Sequence, residues 1–212
     1  NPDIAAVSSH LARPPLPWPE CLPILFLRHP ILRAQSVYNF TRTDASQPFH
    51  DVAREESFAG FVRWALDSRG GVVIRDYQVT HLSDASFRDD CILDARTTPE
   101  DLEQACDLLG EWGLVGIVES YAASAELIQR AYGPRLPELN FEVTWQNRTQ
   151  TVVRTLDEQL DKIRASLGQP LFNELVSRNS LDLALYQFGL TLFNKVCKTY
   201  GIGAESAIGV LR

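Results

Sequence analysis

The chain has 212 residues, 45% hydrophobic and 22% charged, with a formal net charge of -7. That length suits one domain with a substantial core and would cramp two. The acidic balance argues against non-specific nucleic-acid binding, so any anion site must be a local cluster on an acidic surface.

Cys21, Cys91, Cys106 and Cys197 are widely spaced with no C-x-x-C pair, which argues against a metal site or a disulfide framework and for a reduced compartment. No apolar run is long enough to span a bilayer and no signal peptide is seen, so a cytoplasmic protein is expected. Of the 20 basic residues only Lys162, Lys195 and Lys198 are lysines, an arginine bias that suggests a bacterial, GC-rich coding sequence. Methionine is absent throughout, where a chain this long would normally carry several.

In chain order, Asp3 to His10 is a short apolar run that ends in the polar cluster Ser8-Ser9-His10, and Arg13 to Glu20 is a Pro-rich extended loop. Ile24 to Leu27 form a continuous apolar run, the pattern of a buried parallel strand. Arg28 and His29 end it, and Pro30 opens a helix in which its missing N–H costs nothing. A strand, a tight turn and a helix N-terminus, with a guanidinium at the turn, form an oxyanion site. The competing reading is an arginine that only pairs with a carboxylate.

Thr41 to Arg54 reads as a polar loop, and Glu55 to Leu66 as a core-facing helix through Phe58, Phe61, Val62, Ala65 and Leu66, ended by Gly70-Gly71. Thr97 or Thr98 caps a helix with Pro99 near its first position. Leu114 to Glu119 is a second apolar strand, followed by a helix from Ser120. This alternation predicts a parallel sheet with right-handed crossovers. Asn147-Arg148-Thr149 lies in a polar loop, and both it and Asn39-Phe40-Thr41 match the glycosylation sequon. Leu156 to Ser166 is helical, Pro170 to Val176 a turn, and Ser180 to Tyr200 a long helix with Leu185, Phe188, Leu192 and Val196 on its core face.

Arg28, Pro30, Arg33, Ser36 and Tyr38, in the order R-x-P-x-x-R-x-x-S-x-Y, resemble the 3'-phosphate-binding segment of sulfotransferases that use 3'-phosphoadenosine 5'-phosphosulfate (PAPS). The resemblance implies that Arg28 and Ser36 hold the 3'-phosphate of the cofactor, with Arg33 supporting the helix or the site. His10 is similar in position to the proposed base of carbohydrate sulfotransferases of the heparan sulfate 2-O-sulfotransferase type; their motif is H-G-H, and only its last residue carries over. The stretch Val73 to Leu82 resembles an N-x-Q-T-R-x-L-like segment of bacterial sulfotransferases, with Asp76 for Asn and Thr80-His81 where Thr-Arg is usual.

On the same resemblance Arg42, His50, Arg54 and His81 approach the acceptor, and Arg148 and Thr149 belong to a loop that closes over the nucleotide. No metal ligand is implied. The fold implied is a three-layer α/β parallel sheet of the P-loop nucleotide-fold type with a long C-terminal helix. Residues 1–212 would be a single domain lacking the first strand and the 5'-phosphosulfate loop, since no G-x-x-x-x-G-K-[ST] occurs. The activity implied is transfer of a sulfuryl group from PAPS to a hydroxyl, with a glycan as the leading acceptor. Two other readings stand beside it: a non-catalytic nucleotide- or glycan-binding module, and a kinase-like phosphoryl transferase on the same fold.

Overall fold

Two short apolar segments meet at the centre of the chain. Strand β1 (Phe26–Leu27) pairs in parallel with β2 (Gly116–Ile117), Phe26 opposite Gly116 and Leu27 opposite Ile117, and the Gly116 N–H donates to the Leu25 carbonyl at 2.8 Å. The computed structural model describes residues 22–88, 95–137 and 155–203.

Helix α1 (Pro30–Thr43) leaves β1 directly, with Pro30 in its first turn. Two short helices follow, α2 (His50–Glu55) and α3 (Phe58–Asp67), the second capped by the Ser57 side chain. A 3-10 turn over Arg69–Ile74 leads to α4 (Tyr77–Leu82) and α5 (Ala85–Arg88). Thr98 and Asp101 form a capping box at the start of α6 (Pro99–Trp112), and Gly113 at φ 65° ends it. After β2 a 3-10 turn, Val118–Ser120, enters α7 (Tyr121–Tyr132). Three further helices are α8 (Leu156–Leu167), with its own capping box at Thr155 and Glu158, α9 (Gln169–Ser177) and α10 (Ser180–Thr199).

Apolar side chains gather in two clusters. One joins the strands to α6, α7 and α10 through Leu27, Leu109, Ile117, Leu127 and Phe193. The other joins α1, α3, α8 and α9 through Ile31, Phe61, Val62, Ile163 and Leu175. Leu27 belongs to the first cluster and Ile31 to the second, so Arg28, His29 and Pro30 cross the seam between them.

The three-layer parallel sheet of the P-loop nucleotide-fold type is overturned. Among the described residues helices dominate and the only sheet is the two-residue pair β1–β2. The expected strands are cut short by side chains that take over their backbone groups. Beyond Leu27 the Arg28 peptide is bonded by Gln78, and beyond Ile117 the chain turns so that Glu119 faces inward. Most of the remaining apolar residues repeat at helical spacing and form helix faces instead.

Smaller differences have similar causes. The expected loop Thr41 to Arg54 contains the end of α1 and all of α2, and the expected turn Pro170 to Val176 is α9, with Pro170 in its first turn where proline is favourable. On α10 the buried positions include Leu185, Tyr186, Leu190, Phe193 and Cys197, whereas Phe188 is 39% exposed. The inward face is therefore rotated from the predicted one.

Candidate functional site

The turn after β1 is held from two sides. The Gln78 side-chain amide grips the Arg28 peptide: Oε1 accepts from the Arg28 N–H at 2.9 Å and Nε2 donates to the Arg28 carbonyl at 2.9 Å. Glu119 accepts from the His29 N–H at 3.1 Å through one oxygen and from the Tyr186 hydroxyl at 3.1 Å through the other. Two buried polar side chains thus replace a third strand.

Gln78 is itself fixed from α10. Asp182 accepts from the Gln78 N–H at 3.0 Å and the Val79 N–H at 2.8 Å, and the Gln78 Nε2 lies 3.3 Å from it. Asp76 accepts in turn from the N–H groups of Leu181 at 3.1 Å and Asp182 at 2.9 Å. Asn179 completes this lattice, donating to the Ile74 and Leu175 carbonyls and accepting from the Asp76 N–H.

Arg28 is the cation of the site. Its side chain is 35% exposed, and its Nε lies 3.9 Å from a Glu119 oxygen, beyond hydrogen-bond distance. That Nε is buried with no hydrogen-bond partner. Burial lowers the Arg28 pKa, with the Glu119 charge opposing, and burial raises that of Glu119, so the long contact does not offset desolvation for either group. His29 is 5% exposed, its ring meets Tyr186 edge to face at 5.3 Å, and its Nδ1 has no partner. Burial brings its pKa down to about 4, which keeps the imidazole neutral at pH 7.

One turn into α1, Arg33 donates to the Val73 carbonyl at 2.6 Å and lies 3.5 Å above the Tyr77 ring, whose other neighbour is His81 at 3.9 Å between centroids. Guanidinium, phenol and imidazole therefore form one stack. Burial lowers the Arg33 pKa, opposed by Tyr77 and Asp182.

The predicted site residues fall into separate groups. Ser36 is half-buried on α1, about 9 Å along the helix axis from Pro30. Arg42 lies on the same helix beside Tyr38, and the His50 Nδ1 is 2.9 Å from the Thr41 carbonyl, so these two share the far end of α1. His81 stacks instead near Arg33, roughly 13 Å back along the axis. Arg54 is exposed and pairs with Glu55 at 3.7 Å. His10, Arg148 and Thr149 lie outside the described residues. Glu119, Gln78, Asp182 and Asp76 were not among the predicted site residues. The available signal was an acid or amide inside an apolar segment, as in V-G-I-V-E and S-L-D-L-A-L-Y, since a buried carboxylate needs partners.

Arg28 thus stands beside the Glu119 carboxylate, as in the competing reading of a carboxylate pair, with its Nε lacking a hydrogen-bond partner at the start of a 14-residue helix. Among the described residues no helix is long and apolar enough to cross a membrane.

The chain is 27% identical over 171 residues to an uncharacterized protein of the archaeon Archaeoglobus fulgidus, a match that covers 79% of this chain and 65% of that protein. The chain thus spans slightly under two thirds of its relative's length. The relative is archaeal, and it lends no support to the bacterial source expected from arginine usage. No protein-family model matches the chain, and no solved structure matches it.

Proposed function

We propose that this chain binds PAPS through its 3'-phosphate at the start of α1 and transfers the sulfuryl group to a hydroxyl, with a carbohydrate as the leading acceptor. The observation that carries the reading is Arg28, part-exposed on a peptide locked by Gln78, with a buried Nε that has no hydrogen-bond partner. A phosphate would pair with the exposed part of this side chain, since guanidinium to phosphate is a strong charge-assisted pair. The R-x-P-x-x-R-x-x-S-x-Y spacing adds Ser36 as the second contact.

In the reaction proposed, the acceptor oxygen forms its bond to sulfur as the bond between sulfur and the 5'-phosphate oxygen breaks. 3'-Phosphoadenosine 5'-phosphate departs, and the acceptor proton passes to a base, the role assigned to His10. Arg148 and Thr149 enclose the nucleotide in this scheme. Arg42 and His50, together at the far end of α1, are the acceptor-facing pair, with Arg54 and His81 further out.

The two-residue sheet favours a second reading, a non-catalytic module that keeps the 3'-phosphate contact without the transfer chemistry. Thermal unfolding with 3'-phosphoadenosine 5'-phosphate, against ADP, tests both. Ligand at a hundredfold its dissociation constant adds about 2.7 kcal/mol, a rise of several degrees. A rise specific to the 3'-phosphate and lost in Arg28→Ala supports the site, and sulfated product formed from PAPS then separates enzyme from module. No shift, or an equal shift with ADP, rejects both readings.

A further inference from the structure

Three arginines from separate parts of the chain converge on one point outside the Arg28 site. The Asp76 N–H donates to the Asn179 side chain at 3.2 Å, and the Thr97 hydroxyl donates to Asp76 at 3.4 Å. The residues immediately before these three are Arg178, Arg75 and Arg96. Bonds among Asp76, Thr97 and Asn179 therefore draw the three arginine backbones together. The Asn179 Nδ2 adds a bond of 2.8 Å to the Ile74 carbonyl, tying the chain on the other side of Arg75 as well.

Arg75 is half-buried and oriented, donating to the carbonyls of Leu66 at 3.2 Å and Ser68 at 3.1 Å. Arg96 and Arg178 are exposed. Burial lowers the Arg75 pKa, and the like charges of Arg178 and then Arg96 lower it further, as adjacent cations do. Among the described residues no ion pair joins any of the three to an acid. Of the described acids near them in sequence, Asp76 caps α10, Asp101 binds Arg88 and Thr98, and Glu174, one turn before Arg178, forms no ion pair with it. In a chain of net charge -7, three neighbouring guanidinium groups that form no ion pair with a described acid make a local positive cluster.

We propose that Arg75, Arg96 and Arg178 form a binding site for a small polyanion that carries several phosphate or sulfate groups. Guanidinium forks match both oxyanions, and each group retains donors after the carbonyl bonds of Arg75 are counted. Arg75 supplies the fixed contact, while the two exposed arginines close on the ligand from either side. The site is independent of Arg28 and of the nucleotide reading.

The test is titration calorimetry on the full chain at low ionic strength, with tripolyphosphate and with sucrose octasulfate. The variants are Arg96→Gln/Arg178→Gln and, as a charge-matched control, Arg63→Gln/Arg135→Gln, all at exposed positions. Binding of either probe, weakened about tenfold or more in the first variant and within about twofold of wild type in the control and in Arg28→Ala, is the result expected. Binding of one probe alone assigns the site to phosphate or to sulfate ligands. Absence of binding to both, or equal loss in the control, overturns the proposal.

Discussion

Asp76, at the N-cap of α4, and Asp182, in the first turn of α10, each cap the other's helix. The first N–H groups of α4 donate to Asp182, and those of α10 donate to Asp76, so two helix N-termini more than 100 residues apart share one reciprocal contact. Each carboxylate lies at the positive end of the opposing helix. Burial raises the pKa of both, that of Asp76 to about 6, and the charge of Asp182 adds to the effect on Asp76.

Because the caps depend on one another, their loss is not additive. Asp182→Ala strands two buried N–H groups and costs about 3 kcal/mol, Asp76→Ala about 2, and the double variant falls short of the sum by about 1. Urea unfolding of the four proteins measures the coupling. Strict additivity would show that the two caps act separately.

The pH dependence has two opposed parts. The His29 pKa falls from 6.5 in the unfolded chain to about 4 in the fold, so the unfolded state binds the extra proton in that window and stability is lost as pH drops from 6.5 to 4. The full loss is about 3 kcal/mol. Asp76, raised to about 6 and joined by Glu119 and Asp182, works the other way: the folded state holds protons that the unfolded chain has released, and stability rises on acidification below about pH 6. His29→Phe is therefore expected to gain stability between pH 7 and 5, whereas Asp76→Asn shows a steeper acid loss than wild type. Chemical unfolding at four pH values reads both slopes; parallel slopes in the two variants would contradict the assignment.

Two glycines give opposite expectations. A Cβ on Gly71 would strike the Ala65 carbonyl oxygen and sit 2.8 Å from the Arg75 guanidinium, so Gly71→Ala costs upward of about 2 kcal/mol. Gly110, on α6, has open space around the same position, and Gly110→Ala stabilises by up to about 1 kcal/mol through the entropy of the unfolded chain. Melting temperatures that move the same way for both would refute the packing around Gly71.

Gln78 needs both ends of its amide. Gln78→Glu puts a carboxylate oxygen where a donor faces the Arg28 carbonyl and Asp182, so at pH 7 it destabilises more than Gln78→Met, by about 1 to 2 kcal/mol. The gap narrows toward pH 5, as protonation restores a donor. A pH-independent difference between the two variants would argue against this geometry.

Local signals in the sequence located many elements. Pro30 and the Thr97 or Thr98 cap before Pro99 mark helix starts that the structure reproduces, and the helix expected from Leu156 begins there; the one expected from Glu55 begins at Phe58. The two apolar runs pair in parallel, as expected. The sheet did not follow, because strand length was decided by Gln78 and Glu119, side chains that arrive from 50 and 90 residues away. No local period encodes such contacts. The same holds for the site: Arg28 and Ser36 stand out as a pattern within one segment, whereas the support through Asp76, Asn179 and Asp182 depends on α4 meeting α10. Tyr186 was missed because it lies one position off the face assigned to α10.

The grip of Gln78 on Arg28 also sets how the turn tolerates change. A ladder between two strands is made by main-chain atoms, and nearly any residue except proline can stand in it. Here both groups of the Arg28 peptide answer to one side chain. The geometry of the strand end is therefore written in a single codon, and drift at position 78 reaches the cation at position 28 without altering the segment that carries it.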